Sequence, residues 1–110
     1  MRQVYAHQAT LVPGPDTDPG APGAAITTAL CGHWEHEPPC PLAPHHTAAQ
    51  PDGDRLRLRV LFATAPDRVA EVRDRIDGAL AAGDWALESS GCARVEKEER
   101  PHARRLLRNR

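Results

Sequence analysis

The stretch RLRLRVLFATAPDRVAEVRDRIDGALAAG (residues 55–83) contains the two strongest structural signals in the sequence. In the predicted strand, 55–64, apolar and charged residues alternate with a period of two until Leu61 and Ala63 occupy the second face. The apolar positions are Leu56, Leu58, Val60 and Phe62, and the charged positions are Arg55, Arg57 and Arg59. Successive side chains of a strand point to opposite faces, so this pattern predicts a strand with one buried and one solvated face.

The second half of the stretch predicts the main helix, over residues 66–82. Pro66 suits a first helical turn, and Asp67 and Glu71 lie near the positive end of the helix dipole. Gly83 is placed to end the helix. The apolar residues recur at helical spacing and define one buried side: Val69, Val72, Ile76 and Leu80.

The flanking sequence predicts weaker elements. Patterning predicts strands over 2–12, 24–34, 84–90 and 92–99, the last two separated at Gly91, and a short C-terminal helix opened by Pro101. Turn-forming residues predict a flexible Pro/Gly-rich loop over 13–23 and a Pro/His-rich loop over 37–54. Asp52 and Gly53 predict a turn into the strand of 55–64. We expect one domain spanning residues 1–110.

Together these elements predict an α+β protein, a two-layer sandwich with a mostly antiparallel sheet and the helices on one of its faces. The pattern resembles the ferredoxin-like arrangement in outline only. The strict ferredoxin-like order requires a helix after the first strand, and residues 13–23 do not supply one.

Composition and charge exclude several classes of protein. The 110 residues are 40% hydrophobic but only 4% aromatic, so the core must consist mostly of Val, Leu, Ile and Ala. A formal charge of −1 and a pI near 6.6 argue against nucleic-acid partners and anionic membranes. No run approaches the roughly eighteen apolar residues of a membrane-spanning helix. His7 and Gln8 interrupt any apolar run of a signal peptide, which predicts a cytoplasmic protein.

The segment CGHWEHEPPCPLAPHH (residues 31–46) contains two of the three cysteines and four of the six histidines. An odd number of cysteines in a reducing compartment argues against a disulfide framework, so thiols beside histidines suggest metal ligands. The candidate ligands are Cys31, His33, His36, Cys40, His45 and His46. Pro39 and Pro41 enclose Cys40 and stiffen the segment, which reduces the entropy lost when the donors meet.

Sulfur and nitrogen donors in a tetrahedron favour zinc, although copper and nickel accept the same ligand types. The spacing favours a tetrad of Cys31, His33, Cys40 and His45, with His36 and His46 as substitutes. The competing interpretation is that the cysteines are inert and the histidines are solvated loop residues. Cys92 stands apart and is expected to be packed in the interior.

The sequence therefore predicts a small metal-binding module with a structural or regulatory site and no catalytic residues. One alternative is a metal-free interaction or small-ligand-binding domain, in which Arg55, Arg57 and Arg59 could line an anion site. Another is a small metal-dependent hydrolase with Glu35 or Glu37 as base. The expected partner is a protein or a small molecule of unknown identity, and the chain could form a homodimer.

Overall fold

The computed structural model describes residues 2–31 and 43–108, and describes Cys31 through its backbone only. The elements follow the order β1 (Gln3–Pro13), α1 (Ala21–Cys31), β2 (His45–Asp52), β3 (Arg55–Thr64), α2 (Val69–Ala81), β4 (Trp85–Ala93) and α3 (Arg100–Arg108). Short 3-10 turns, Pro66–Arg68 and Lys97–Glu99, lead into α2 and α3. The predicted first strand, the strand of 55–64, the main helix and the C-terminal helix are confirmed.

The four strands form one antiparallel sheet in the order β2-β3-β1-β4. β1 pairs with β3 on one side and with β4 on the other, so β2 and β4 are the edges. The α+β prediction is confirmed. With α1 after the first strand, the chain follows the β-α-β-β-α-β order of ferredoxin-like folds. No helix among residues 2–31 and 43–108 is long and apolar enough to cross a membrane.

The main core lies between the sheet and the pair α1 and α2. The alternate residues predicted for β3 form its sheet side, and Ala9 and Leu11 of β1 join them. The helices supply Ile26, Leu30, Val72, Ile76 and Leu80. Since each of these apolar side chains is almost fully buried, each contributes about 1.5–3 kcal/mol of burial free energy.

The prediction that all helices cover one face of the sheet is wrong for α3. Leu106 of α3 packs with Leu61 and Ala63 of β3 and with Ala6 of β1. Leu61 and Ala63 alternate along β3 with the residues of the main core, so they point to the opposite face. α3 therefore covers one end of that second face and leaves the rest open.

The strand predicted over residues 24–34 is wrong, because α1 occupies Ala21–Cys31. Asp18 accepts a hydrogen bond from the Gly20 amide at 2.9 Å and so fixes the turn into the helix. Thr28 donates its hydroxyl to the Ala24 carbonyl at 3.1 Å, which satisfies a residue that otherwise disfavours a helix interior. The loop predicted over 13–23 therefore ends at residue 20.

The loop predicted over 37–54 is wrong for residues 45–52, which form β2; residues 37–42 lie outside the described part of the chain. β2 is an edge strand, where Pro51 is tolerated because no second neighbour needs its missing amide proton. Asp52 pairs with Arg55, so Gly53 and Asp54 form a two-residue hairpin turn. Gly53 has a φ of 62°, which only glycine adopts readily, and the predicted turn is confirmed.

Gly91 does not interrupt the last strand, contrary to the prediction, because β4 runs from Trp85 to Ala93. The irregularity lies earlier. Thr10 of β1 pairs with Ser89 of β4, but the next residue, Leu11, pairs with Leu87, so Glu88 is the extra residue of a β-bulge. The bulge changes which face each later residue of β4 occupies.

Candidate functional site

The six predicted metal ligands divide between described and undescribed parts of the chain. His33, His36 and Cys40 lie outside the described residues, as do Glu35 and Glu37. Cys31 is the last residue of α1. His45 and His46 are the first two residues of β2. The predicted site as a whole therefore stays a prediction.

His45 lies against α1. Its Nδ1 is 3.2 Å from the carbonyl oxygen of Ala43, and its Nε2 is 3.0 Å from the hydroxyl of Thr27. The carbonyl can only accept, so Nδ1 carries the proton, and Nε2 presents its lone pair to the Thr27 hydroxyl. Burial lowers the pKa of His45, partly offset by the bond to Ala43 and reinforced by His46.

A backbone carbonyl at Nδ1 fixes the ring as it does in many metal-binding histidines, although Nε2 here accepts a hydrogen bond from Thr27. Position 31 is one helical turn beyond Thr27, so the end of α1 lies near the imidazole of His45. The fold thus places the first residues of β2 against the helix in which the predicted segment begins.

His46 points to the other face of the sheet, as alternation along β2 requires. Its ring stacks on that of His102 in α3, with centroids 4.3 Å apart and planes 14° from parallel. The Nδ1 of His102 accepts a hydrogen bond from Arg105 at 2.7 Å. Burial lowers the pKa of His46, as do His102 and Arg105, while Glu99 raises it. The strand therefore separates His46 from the α1 side where His45 lies.

Within residues 2–31 and 43–108, no three His, Cys, Asp or Glu side chains are grouped so that they could hold a metal ion. Cys92 is exposed, so the expectation that it is packed in the interior is wrong. It lies on the edge strand β4 opposite His7 of β1.

A polar network around the buried His7 is the main feature that the sequence analysis missed. His7 is 1% exposed, beneath α2. Arg73 donates to its Nδ1 at 2.9 Å, and Nε2 is 2.7 Å from the Ser90 hydroxyl and 3.2 Å from an Asp77 oxygen. Ser90 in turn donates to Asp77. The sequence does contain a sign of this network: Arg73 and Asp77, one helical turn apart, stand beside the apolar residues of α2.

The protonation pattern decides what this network can do. A guanidinium only donates, so Nδ1 of His7 must accept and the ring proton must lie on Nε2. His7 therefore donates to Ser90 and cannot take a proton from its hydroxyl, as a serine nucleophile would require. Burial lowers the pKa of His7 most, Arg73 lowers it further, and Asp77 opposes both. The arrangement is a hydrogen-bonded network that satisfies a buried histidine, and its imidazole is not the proton acceptor that a catalytic triad needs beside its serine.

The open part of the second sheet face forms a shallow polar groove of about 330 Å³. Two rows cross it in register: Gln50, Arg57, Thr10 and Ser89, then Ala48, Arg59, Gln8 and Gly91. Glu99 and the Arg94 carbonyl hold the Arg59 guanidinium. The Arg57 side chain is 63% exposed, and its ion pair with Asp52 is long, at 3.8 Å. Arg57 is therefore more available to a ligand than Arg59. The predicted wet face of 55–59 is confirmed here.

No known protein-family model matches this chain, and no curated protein matches it in sequence.

Proposed function

We propose that this protein is a small metal-binding module with a structural or regulatory Cys/His site. The observation that carries the proposal is the position of His45, which packs against α1, the helix that ends at Cys31, with its Nε2 3.0 Å from the Thr27 hydroxyl. The other support is the density of soft donors between residues 31 and 46. Cys31, His33, Cys40 and His45 form the favoured tetrad, with His36 as substitute. His46 becomes the weakest candidate because it faces α3.

Zinc fits this donor set best, because it accepts thiolate and imidazole together without a geometric demand from its d electrons. Copper and nickel share these ligands and remain alternatives. A reducing cytoplasm suits such a site, since the thiols stay available as ligands. A catalytic zinc needs an open coordination position and a base beside it. A structural or regulatory site needs neither, and we favour that role.

The test pairs His45→Gln with His46→Gln, adjacent residues on opposite faces of one strand. Zinc content is measured by elemental analysis, and melting temperature is measured with and without chelator. We expect near-stoichiometric zinc in the wild type and in His46→Gln, with metal lost from His45→Gln and from Cys31→Ser/Cys40→Ser. Wild-type protein that binds no zinc, copper or nickel, and whose melting ignores the chelator, would refute the proposal.

The polar groove supports a second candidate, a small-ligand-binding domain without metal. Its volume of about 330 Å³ lies near the lower end of known ligand sites, and its lining combines amide, hydroxyl and guanidinium donors. A small hydrogen-bonding carboxylate or phosphate would pair with Arg57. This candidate predicts that such anions raise the melting temperature of the wild type but not of Arg57→Gln, and that chelation changes neither.

A further inference from the structure

The outer side of α3 carries a row of arginines. Arg100, Arg104 and Arg108 are spaced one helical turn apart, and all are exposed. They lie opposite Leu106, through which α3 packs on the sheet. The row is about 12 Å long at the rise of an α-helix. Leu107, 41% exposed, flanks it on one side.

Contacts within the chain do not account for this row. Among residues 2–31 and 43–108, none of its three arginines makes an ion pair, whereas the arginines of β3 and two of those around α2 do. The helix dipole stabilises cations only in the last turn, where Arg105 and Arg108 lie. Arg100 and Arg104 gain nothing from it. Three unpaired guanidinium groups in one line are therefore available to a partner.

We propose that this outer face of α3 is a docking surface for an acidic segment of a protein partner. The matching segment carries carboxylates at helical spacing, with an apolar side chain against Leu107. A guanidinium binds a carboxylate through two parallel hydrogen bonds, which gives geometric selectivity as well as attraction. An exposed leucine beside the arginines suits a protein surface, because phosphate groups offer it no apolar contact.

The surrounding charge disfavours a long polyanion at the same place. The chain has a formal charge of −1, and Glu96 and Glu98 lie exposed immediately before α3. A nucleic acid or an anionic membrane would extend beyond the row and approach these carboxylates within the roughly 10 Å over which charges act at moderate salt. A short acidic segment can match the row and avoid them.

The experiment compares Arg100→Gln/Arg104→Gln with Arg68→Gln/Arg75→Gln, a control with the same change in charge. Arg68 and Arg75 pair with Glu71, away from α3. The probe is a short labelled helical peptide with glutamates at positions i, i+4 and i+8 beside a leucine, and binding is measured by fluorescence anisotropy. We expect the α3 variant to raise the Kd about tenfold or more and the control to leave it nearly unchanged.

Glutamine preserves helix propensity and neither arginine is held by the dipole, so circular dichroism and melting should be unchanged in the α3 variant. Rising salt should weaken peptide binding to the wild type. Equal peptide binding by wild type and α3 variant, or no binding by either, would overturn the proposal. So would tighter binding of a DNA duplex or of phosphatidylserine vesicles than of the peptide. Self-association of the free chain that the α3 variant abolishes would instead assign the surface to a second copy.

Discussion

His7 is 1% exposed, and its imidazole lies among three polar side chains. Three of its neighbours come from distant parts of the chain: Arg73 and Asp77 from α2, and Ser90 from β4. The alternation of β1 places His7 on the same side as Ala9 and Leu11, so its burial follows from the sequence. Its partners do not follow, because the bulge at Glu88 sets which residues of β4 reach that side.

The lowered pKa of His7 makes the stability of the protein depend on pH. In the unfolded chain His7 takes up its proton near 6.5, whereas in the folded protein burial and Arg73 delay protonation to lower pH. Between those two pKa values the unfolded state binds more protons, so the free energy of unfolding falls as the pH drops below about 6.5. His45 and His46 contribute with the same sign.

We expect His7→Gln to flatten this decline without abolishing it, because the amide does not titrate and His45 and His46 remain. At neutral pH the variant should lose about 1–3 kcal/mol, since glutamine cannot reproduce all the hydrogen bonds that the buried ring makes. Urea unfolding measured at several pH values from about 7.5 to about 5 checks both effects. A decline as steep in the variant as in the wild type would show that His7 is not the source.

At the scale of whole elements, the sequence predicted β3 because residues 55–60 alternate, and α2 because its apolar residues recur at helical spacing over 69–80. α1 was mistaken for a strand because Ile26, Thr27 and Thr28 favour strands. The helix is favoured instead because Ile26 and Leu30, one turn apart, both pack into the core. The hydroxyls of both threonines also form hydrogen bonds in the helix. A short apolar run does not distinguish these outcomes without its tertiary contacts.

The C-terminal end of α2 shows how one aromatic residue can close a helix. The indole of Trp85 donates to the carbonyl of Leu80 at 2.7 Å and so satisfies one of the last carbonyls of the helix. The ring lies over Gly83, where any added methyl group would overlap it. Gly78, in the middle of the same helix, has open space around it.

These two glycines should respond in opposite directions to the same substitution. Gly78→Ala should stabilise the protein by about 0.5–1 kcal/mol, because alanine loses less backbone entropy in a helix. Gly83→Ala should destabilise it by about 1–3 kcal/mol, because the Trp85 ring must move and its hydrogen bond to Leu80 is lost. Urea unfolding measures both, and a stabilising Gly83→Ala would contradict this account of the helix end.

At the scale of the whole molecule, the ion pair between Arg59 of β3 and Glu99 joins the sheet to α3. Both guanidinium nitrogens engaged in the pair lie 2.8–2.9 Å from Glu99 oxygens, and the two side chains are 26% and 18% exposed. Glu99 also accepts from the Glu96 amide at 2.9 Å and thereby caps the 3-10 turn that leads into α3. The sequence predicted α3 but not its face, because the alternation of β3 breaks down after Val60, where both sides become buried.

Glu99→Gln separates these two roles, since glutamine can still complete the cap but cannot carry the charge. We expect a loss of about 1–2 kcal/mol and faster hydrogen exchange in α3, because a charge-assisted pair that is mostly shielded from water is broken. Glu88→Gln is the matched control, because its partner Arg55 lies on β3 as Arg59 does. Both side chains of that pair are more exposed, so its loss should cost less than about 1 kcal/mol.

The ion pair between Arg59 and Glu99 also makes the stability of the protein depend on pH. Its bond to Arg59 lowers the pKa of Glu99, so the pair contributes full stability above the ordinary carboxyl value near 4.5 and loses it as the pH falls through the lower folded pKa. In the wild type, α3 amides should therefore lose protection at acid pH below the range in which the histidines titrate. In Glu99→Gln that acid step should be missing, and its persistence would show that another carboxylate holds α3 on the sheet.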